Sequence, residues 1–204
     1  MRVFFVRHGQ SMDNLLKRAS GWSRAPLSDL GRQQAASVVP ILQGIRFDKV
    51  FSSDLLRARQ TAHEVLPDYE PVLSDKIREI NVGSISGTLR TELTEKYGEI
   101  YTNAVINHDY TRFGGENDDM VHARVSAFMK ELEKLEGCEN VAVFGHEGTA
   151  HAMVSYVLNA RFDLKCLRTP NCSVTVFSFE DGRWKLEKFG YSQTIVPQVV
   201  TYTG

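Results

Sequence analysis

Cysteine is scarce in this chain of 204 residues, which has three thiols, at Cys138, Cys166 and Cys172. Their odd number and irregular spacing do not indicate the disulfide framework of a small secreted protein. None of them has the paired spacing of a structural zinc site. We therefore expect reduced thiols, no bound metal ion and a cytoplasmic location.

The sequence also lacks long hydrophobic runs and an excess of charge. No apolar run approaches the roughly 20 residues needed to span a bilayer, and no basic stretch followed by a long apolar segment marks the amino terminus as a secretory signal. The 24 lysine and arginine residues nearly balance the 25 aspartate and glutamate residues, which leaves a formal net charge of −1. This balance argues against nucleic acid or a membrane as the partner. Any cationic site must be local.

Nothing in the sequence resembles an interdomain linker or an internal repeat, and 204 residues suffice for one well-buried core. We predict a single domain over residues 1–204. Strand patterns over 2–6, 49–52, 141–144, 173–179 and 183–189 alternate with helix patterns over 29–42, 55–66, 118–135 and 149–158. The alternation predicts a three-layer α/β/α fold with a mainly parallel sheet. Glu180-Asp181-Gly182 predicts a hairpin and so an antiparallel edge strand near the carboxyl terminus.

Residues 88–116 interrupt this alternation with less regular periodicity. The segment is rich in tyrosine and ends in glycines. We expect it to be an insertion that covers a pocket.

Two predicted strands end in a histidine. Arg7 and His8 follow the first apolar run, and His146 follows the run at 141–144. Ligands of open α/β sheets bind beyond the carboxyl ends of the strands. Together with Arg57, near the start of a predicted helix, these residues would form a cationic cluster suited to a phosphoryl group, whose oxygens match the forked donors of arginine. Each histidine taken alone is also compatible with a structural, helix-capping role.

Five motifs follow one another along the chain. They are Arg7-His8-Gly9-Gln10-Ser11 with Asn14, Ser52-Ser53-Asp54-Leu55-Leu56-Arg57-Ala58-Arg59-Gln60-Thr61-Ala62, Glu79 with Gly83 and Gly87, Gly114-Gly115-Glu116, and His146 after a strand. Each motif is common, but the ordered set is specific. It resembles the histidine phosphatase superfamily, also called phosphoglycerate mutase-like, from Arg7 to Gly148.

The resemblance implies a role for each matching residue. It makes His8 the nucleophile that becomes phosphohistidine and Glu79 the acid that protonates the leaving oxygen. The phosphoryl oxygens would be held by Arg7, Arg57 and His146, with help from Asn14. Ser20 and Gly21 match a loop that closes on the phosphate. The resemblance implies no cofactor and no metal.

These roles carry physical requirements. The attacking nitrogen of His8 must be unprotonated, so we expect its other nitrogen to donate to a fixed acceptor, for which a backbone carbonyl is the best candidate. We expect a protonated His146 to add positive charge beside the two arginines. Glu79 must begin as the neutral acid, which partial desolvation would favour.

Two positions depart from the family pattern. Glu147 stands where the family more often has glycine; its carboxylate would repel a phosphate if it faced the pocket, and we expect it to point away, although it belongs to the candidate substrate-binding residues. The stretch from Ile80 to Gly87 lacks the aromatic residue often found there, which leaves the substrate open. A zinc site on His146, Glu147 and His151 is disfavoured, because residues five apart do not share a helix face.

The favoured function is a metal-independent, histidine acid-type phosphatase that hydrolyses a small phosphorylated metabolite. The chain is short for a mutase, which must exclude water while its substrate reorients. The alternatives are a phosphoglycerate mutase-type phosphotransferase and a noncatalytic domain that binds a phosphorylated ligand. The sequence leaves the oligomeric state open.

Overall fold

The structure is a computed structural model that describes residues 1–161 and 167–192. The strands are Arg2–Arg7 (β1), Lys49–Ser53 (β2), Val72–Ser74 (β3), Asn140–Gly145 (β4), Val174–Glu180 (β5) and Arg183–Tyr191 (β6). The α-helices are Met12–Leu15 (α1), Asp29–Ala36 (α2), Val39–Leu42 (α3), Leu56–Val65 (α4), Arg90–Tyr97 (α5), Glu99–Asn107 (α6), Asp118–Leu132 (α7) and Glu147–Leu158 (α8). Short 3-10 turns lie at Asp75–Ile77, Gly83–Ile85 and Thr111–Phe113. The predicted thiol Cys166 lies outside the described residues.

The strands form a sheet in the order β3-β2-β4-β1-β5-β6. The pairs β3-β2, β2-β4 and β4-β1 are parallel, whereas β5 runs antiparallel to both β1 and β6. The expectation of a mainly parallel sheet with an antiparallel carboxyl-terminal edge is therefore confirmed. Parallel pairing aligns Arg7 with Gly145, so the residues that follow β1 and β4 emerge side by side.

Alternating side chains of the central strands pack into two cores. Val3 and Phe5 of β1 join the core beneath α7 and α8, whereas Phe4 and Val6 join the core beneath α2, α3 and α4. Successive residues of a strand face opposite sides of the sheet, so one apolar strand serves both cores. This arrangement confirms the predicted three-layer α/β/α fold.

The helix expected over 29–42 is two helices. α2 ends at Ala36 and α3 begins at Val39. Pro40 explains the interruption, because a proline inside a helix lacks the N–H donor and its ring collides with the carbonyl four residues earlier, here that of Ala36.

Residues 88–116 contain α5, α6 and a 3-10 turn, and they pack on a third apolar cluster. Its members are Ala19, Val82, Ile85, Leu93, Tyr101, Ala104 and Phe113. This cluster joins the insertion to the loop around Ala19 and to the chain that follows Glu79.

Candidate active site

His8 lies directly after β1 and is almost completely buried. Its Nδ1 is 2.6 Å from the carbonyl oxygen of Gly9. Since a carbonyl can only accept, Nδ1 carries the proton, and Nε2 is free to accept a hydrogen bond of 3.2 Å from Nε of Arg57. The expected backbone-carbonyl partner is confirmed. Burial lowers the pKa of His8 well below its usual value, and the positive charges of Arg57 and Arg7 lower it further. The imidazole is therefore neutral at neutral pH, with Nε2 unprotonated.

His146 follows β4 and lies beside His8, with ring centroids 5.1 Å apart. Its Nε2 is 2.9 Å from Oγ of Ser53, at the end of β2. Among the described residues, Nδ1 of His146 has no hydrogen-bond partner. Burial first, and then the charge of Arg57, lower the pKa of His146 well below its usual value. With no phosphoryl group beside it, His146 is therefore neutral, because desolvation and a nearby cation both disfavour a second positive charge. Its expected protonation beside a phosphoryl group stays a prediction.

Arg57 lies in the first turn of α4, with its side chain buried against His8. Its Nη2 donates to the carbonyl oxygen of Gly21 at 2.9 Å, and its Nη1 donates to that of Ser23 at 3.4 Å. Burial lowers its pKa to about 10, so the guanidinium stays charged at neutral pH. Thr61 lies one turn further along α4 and accepts from the backbone N–H of Gly9 at 3.1 Å. α4 thus holds both the cation and the loop that carries His8.

Arg7 and Glu147 form an ion pair, with 3.1 Å between Nη2 and Oε2. Nη1 of Arg7 donates to the carbonyl oxygen of Thr169, whose Oγ1 hydrogen-bonds Oε1 of Glu147 at 3.4 Å. The expectation that Glu147 points away from the cluster is therefore wrong. The physical reason is the strand register: β1 and β4 end side by side, which brings the guanidinium after one strand to the first turn of the helix after the other.

Glu79 reaches the same region from a segment that we call the strap, residues 76–81. The strap begins inside the 3-10 turn at Asp75–Ile77 and ends before the one at Gly83–Ile85. Its Oε1 accepts from the backbone N–H of Ile80 at 3.0 Å and from that of Gly148 at 3.2 Å. Its carbonyl oxygen accepts from Nε1 of Trp22 at 2.7 Å. The carboxylate therefore lies at the amino terminus of α8, against Gly148, which is two positions after His146.

Arg124 of α7 uses all five of its N–H donors here, and three of them bind carbonyl oxygens of this strap. Its Nη1 donates to the carbonyl oxygens of Lys76 and Arg78, and its Nη2 donates to that of Glu79. The remaining donors bind both carboxylate oxygens of Glu116, at 2.9 and 3.0 Å. The backbone on either side of Glu79 is thus fixed by a charged pair that is largely withdrawn from solvent.

Asn14 and Ser20 contact residues other than the two histidines. The side-chain oxygen of Asn14 accepts from the backbone N–H of Ser11 at 3.1 Å, which closes a capping box at α1. The carbonyl oxygen of Ser20 accepts from Oγ of Ser86 at 2.7 Å. Neither contact joins these side chains to the histidine pair, so their predicted part in phosphate binding stays a prediction.

Gly21 occupies a position that only glycine fits well. Its φ is +46°, and an added Cβ would collide with the side chain and backbone of Val82. The glycine lets the loop lie close enough for its carbonyl oxygen to reach Arg57.

Four residues that hold the site were not singled out as site residues from the sequence. Ser53 contacts His146, Thr169 contacts Arg7, Asn171 donates to the carbonyl oxygen of His8, and Arg124 holds the strap of Glu79. Ser53 had a sequence signal, because it directly follows the predicted strand at 49–52, and in the structure this strand pairs with the one that precedes His146. Thr169 and Asn171 reach the site only because β5 pairs with β1.

No group of three or more His, Cys, Asp or Glu side chains in the described part of the chain could hold a metal ion. No helix in residues 1–161 or 167–192 is long and apolar enough to cross a membrane.

The fold and the cluster at the carboxyl edge of its sheet define an α/β protein with two histidines and two arginines placed where such sheets bind ligands. The chain belongs to the histidine phosphatase superfamily (branch 1), whose family model matches residues 3–192. The family expected from the sequence motifs is thereby confirmed.

Relatives with established names include phosphatases and a mutase. Phosphoserine phosphatase 1 of Hydrogenobacter thermophilus is 31% identical over 189 residues, which cover 90% of this chain and 89% of that protein. The 2,3-bisphosphoglycerate-dependent phosphoglycerate mutase 2 of Gloeobacter violaceus is 32% identical over 161 residues, or 74% of this chain and 73% of that protein. A solved mycobacterial glucosyl-3-phosphoglycerate phosphatase in complex with VO3 has a TM-score of 0.80 and 25% identity, and the match covers 94% of this chain and 99% of that one.

Proposed function

We propose that this chain is a metal-independent phosphomonoester hydrolase of the histidine acid type, which acts on small phosphorylated metabolites through a phosphohistidine on His8. The observation that carries the proposal is the state of that imidazole. The carbonyl of Gly9 fixes the proton on Nδ1, and Nε2 faces the guanidinium of Arg57. A neutral nucleophile is thus held against a cation that can receive the phosphoryl oxygens.

In the first half-reaction, Nε2 of His8 attacks phosphorus and the bond from phosphorus to the ester oxygen breaks. Arg7 and Arg57 hold the phosphoryl oxygens. Glu79 gives its proton to the leaving oxygen, so the alcohol departs neutral. Phosphate monoesters are among the slowest compounds to hydrolyse unaided, and prepositioned positive charge is usually the largest contribution to their catalysis.

In the second half-reaction, water attacks the phosphohistidine while Glu79 takes one of its protons. The phosphorus–nitrogen bond breaks, inorganic phosphate leaves and His8 returns to its neutral tautomer. His146 has a role in both halves: a phosphoryl dianion beside it raises its pKa, so its free Nδ1 can donate to a phosphoryl oxygen when the substrate is bound.

We further propose that residues 88–116 cover the pocket of a single domain spanning 1–204. The support is the third apolar cluster, which packs the insertion against the chain that follows Glu79. Burial raises the pKa of Tyr110, which lies in the insertion, to about 12, and the charges of Tyr101 and Glu79 add to the rise.

We assign the enzyme to the cytoplasm. The support is chemical: Cys138 and Cys172 are free thiols, and Cys172 is buried, so neither is used in a disulfide.

The test is a screen of metabolite phosphates and p-nitrophenyl phosphate with chelator present, in which phosphate release and isomer formation are measured in parallel between pH 5 and 8. The proposal expects phosphate release, and acid-labile, base-stable phosphoprotein after a rapid quench. His8→Ala should abolish both signals, and His63→Ala, which removes an exposed histidine, is the matched control.

The other outcomes identify the alternatives. A mutase, like the relative from Gloeobacter violaceus, would form an isomeric phosphate with little release of inorganic phosphate. A noncatalytic binding domain would turn over no substrate, and His8→Ala would change nothing but affinity. Activity that survives His8→Ala would remove this residue as the nucleophile.

A further inference from the structure

Glu147 brings a carboxylate to the solvent side of the cationic cluster. Its side chain is 39% exposed, whereas Arg57 and His146 are buried. Its Oε2 lies on Arg7, and Oε1 is held by Thr169. A ligand that enters the cluster from solvent therefore meets this carboxylate.

The first turn of α8 fixes the side of the pocket on which Glu147 lies. The backbone N–H of Gly148, the next residue, donates to Oε1 of Glu79 at 3.2 Å. The absence of a side chain at Gly148 is what allows Glu79 to approach, because an added Cβ would collide with Oε1. Both carboxylates thus surround the first turn of α8. Glu79 and Glu147 both lie close enough to His151, one turn further along α8, to favour its charged form. With Glu79 proposed to face the ester oxygen, the nearby carboxylate of Glu147 would face the organic part of the substrate.

The charges of the described residues around this pocket nearly cancel. Arg7 and Arg57 are cationic, and the two buried histidines add no charge near neutral pH. Glu147 offsets one guanidinium, and buried Asp13 is close enough to Arg57 to favour its charged form. If Glu79 holds the proton that it donates, no net positive charge remains for a second anionic group on the substrate.

We propose that Glu147 selects substrates by charge: it disfavours phosphomonoesters with a second anionic group one or two carbons from the ester oxygen and favours those with an ammonium group there. The proposal rests on the proposed function. A unit charge a few ångströms from another near a protein surface changes binding by about tenfold or more.

Three esters of similar size and different charge test this inference. They are 2-aminoethyl phosphate, 2-hydroxyethyl phosphate and 2-phosphoglycolate, with the neutral hydroxyethyl ester as the internal reference. We expect kcat/KM of the wild type to fall in that order. Glu147→Gln keeps the shape of the side chain and removes its charge, so it should reduce the preference for the aminoethyl ester over phosphoglycolate by about tenfold or more.

Glu187→Gln is the matched control. Glu187 pairs with Arg2 at 3.3 Å, at the amino end of the strand whose carboxyl end carries Arg7. The substitution changes the net charge equally and breaks a similar pair far from the cluster, so the preference should remain that of the wild type. An unchanged preference in Glu147→Gln, or an equal change in Glu187→Gln, overturns the inference.

Failure of the proposed function would look different. A wild type that hydrolyses none of these esters and no p-nitrophenyl phosphate contradicts the hydrolase, and binding then decides the inference. The affinities of the three esters are then measured by calorimetry for His8→Ala and for the double variant with Glu147→Gln. His8→Ala should prefer the aminoethyl ester to phosphoglycolate, and the double variant should show a smaller preference. Identical relative affinities in both proteins would overturn the charge selection.

Discussion

A single hydrogen bond decides what His8 can do at the scale of the residue. The ring could carry its proton on either nitrogen, and the two tautomers have opposite chemistry. The carbonyl of Gly9 accepts from Nδ1 at 2.6 Å, so Nε2 carries no proton and has a free lone pair. Because the donor and acceptor are adjacent residues, this choice is built into the turn after β1.

Glu79 is the residue whose chemical role is most directly testable. Glu79→Gln keeps an oxygen that can accept from the N–H groups of Ile80 and Gly148 and removes only the acidic proton. We expect kcat/KM for alkyl phosphates, whose leaving alkoxides need protonation, to fall about 10²- to 10⁴-fold. The loss for p-nitrophenyl phosphate should be far smaller, because its leaving group is stable as an anion.

The measurement compares both substrate types at one pH. Glu64→Gln is the control, since Glu64 has a similar exposure and pairs with Arg32 on the surface. Equal losses for the alkyl and aryl esters would contradict acid catalysis by Glu79.

The sequence was sufficient to predict that a backbone carbonyl accepts from His8, but not which carbonyl, and it did not predict the orientation of Glu147. A histidine that attacks through one nitrogen needs its other nitrogen to donate to a fixed acceptor, and the turn after β1 offers a backbone carbonyl within reach. Glu147 could satisfy either of two attractions, the dipole of α8 or the guanidinium of Arg7, and the second is chosen by a strand register that no local pattern encodes. The lowered pKa of His146 could not be predicted from the sequence for a related reason, because complete burial is a property of the assembled core.

At the scale of elements, the strap of residues 76–81 shows how a loop is made rigid. It has no regular backbone ladder, yet three of its carbonyl oxygens accept from Arg124. The backbone N–H of Asn81 donates to Glu116 at 2.8 Å, so both ends of the strap are tied to one ion pair. Removing one partner of a pair that is largely withdrawn from water leaves the other charge uncompensated.

Arg124→Met should therefore affect both stability and chemistry. We expect a loss of about 3–5 kcal/mol in the free energy of unfolding, measured with urea. We also expect kcat/KM for alkyl phosphates to fall by about 10²-fold, because a small displacement of a catalytic group costs that much. p-Nitrophenyl phosphate should lose less activity, since it depends less on Glu79.

A second substitution separates positioning from stability. Adding Glu116→Gln to Arg124→Met removes the carboxylate charge that has lost its arginine partner. The double variant should recover stability without recovering alkyl phosphate hydrolysis. Arg161→Met is the control, because Arg161 forms a surface ion pair with Asp119, which lies in α7 like Arg124. If alkyl and aryl esters are lost equally in Arg124→Met, the strap does not position the acid.

Elements with strong periodicity were predictable, and the strap was not. Of the described strands, all but the short edge strand β3 were expected from alternation, and the helices of both layers were expected from apolar spacing. Pro40 shows the limit of such reasoning, since the apolar spacing continues through it while the backbone hydrogen bonds cannot. Arg124 gave no sequence signal, because its partners are backbone carbonyls some 46 positions away along the chain.

At the scale of the whole molecule, the ionisable site lies at the carboxyl ends of two strands that have an apolar core on either face. The cores on either face of the sheet bury the apolar residues Val3–Val6 of β1 and Val141–Phe144 of β4, so the histidines that follow these strands are withdrawn from water with them. Burial is the largest cause of a lowered pKa at His8, His122, His146 and His151. Four of the six histidines therefore bind protons more weakly in the folded chain than in the unfolded one.

This difference predicts how stability depends on pH. Where the unfolded chain binds more protons, the free energy of unfolding rises with pH. A histidine with a lowered pKa in the folded state contributes its full stability above the unfolded value near 6.5 and loses it as the pH falls below that value. For His8 and His146, whose pKa is well below 6.5, the loss between pH 7.5 and 5.5 is about 1.4 kcal/mol each.

Urea unfolding at pH 7.5, 6.5 and 5.5 measures this slope. Stability should fall by about 3 kcal/mol or more across the window, because His122 and His151 add to the loss in the same direction. Carboxylates with a lowered pKa, such as Asp54, act in a more acidic window and do not interfere. His146→Gln removes one buried imidazole, so it should reduce the fall by about 1.4 kcal/mol whatever it does to stability at pH 7.5. A stability that is flat from pH 7.5 to 5.5 would mean that these rings take up protons in the folded chain as readily as in the unfolded one, and His8 would then not be the neutral group that the proposed attack on phosphorus requires.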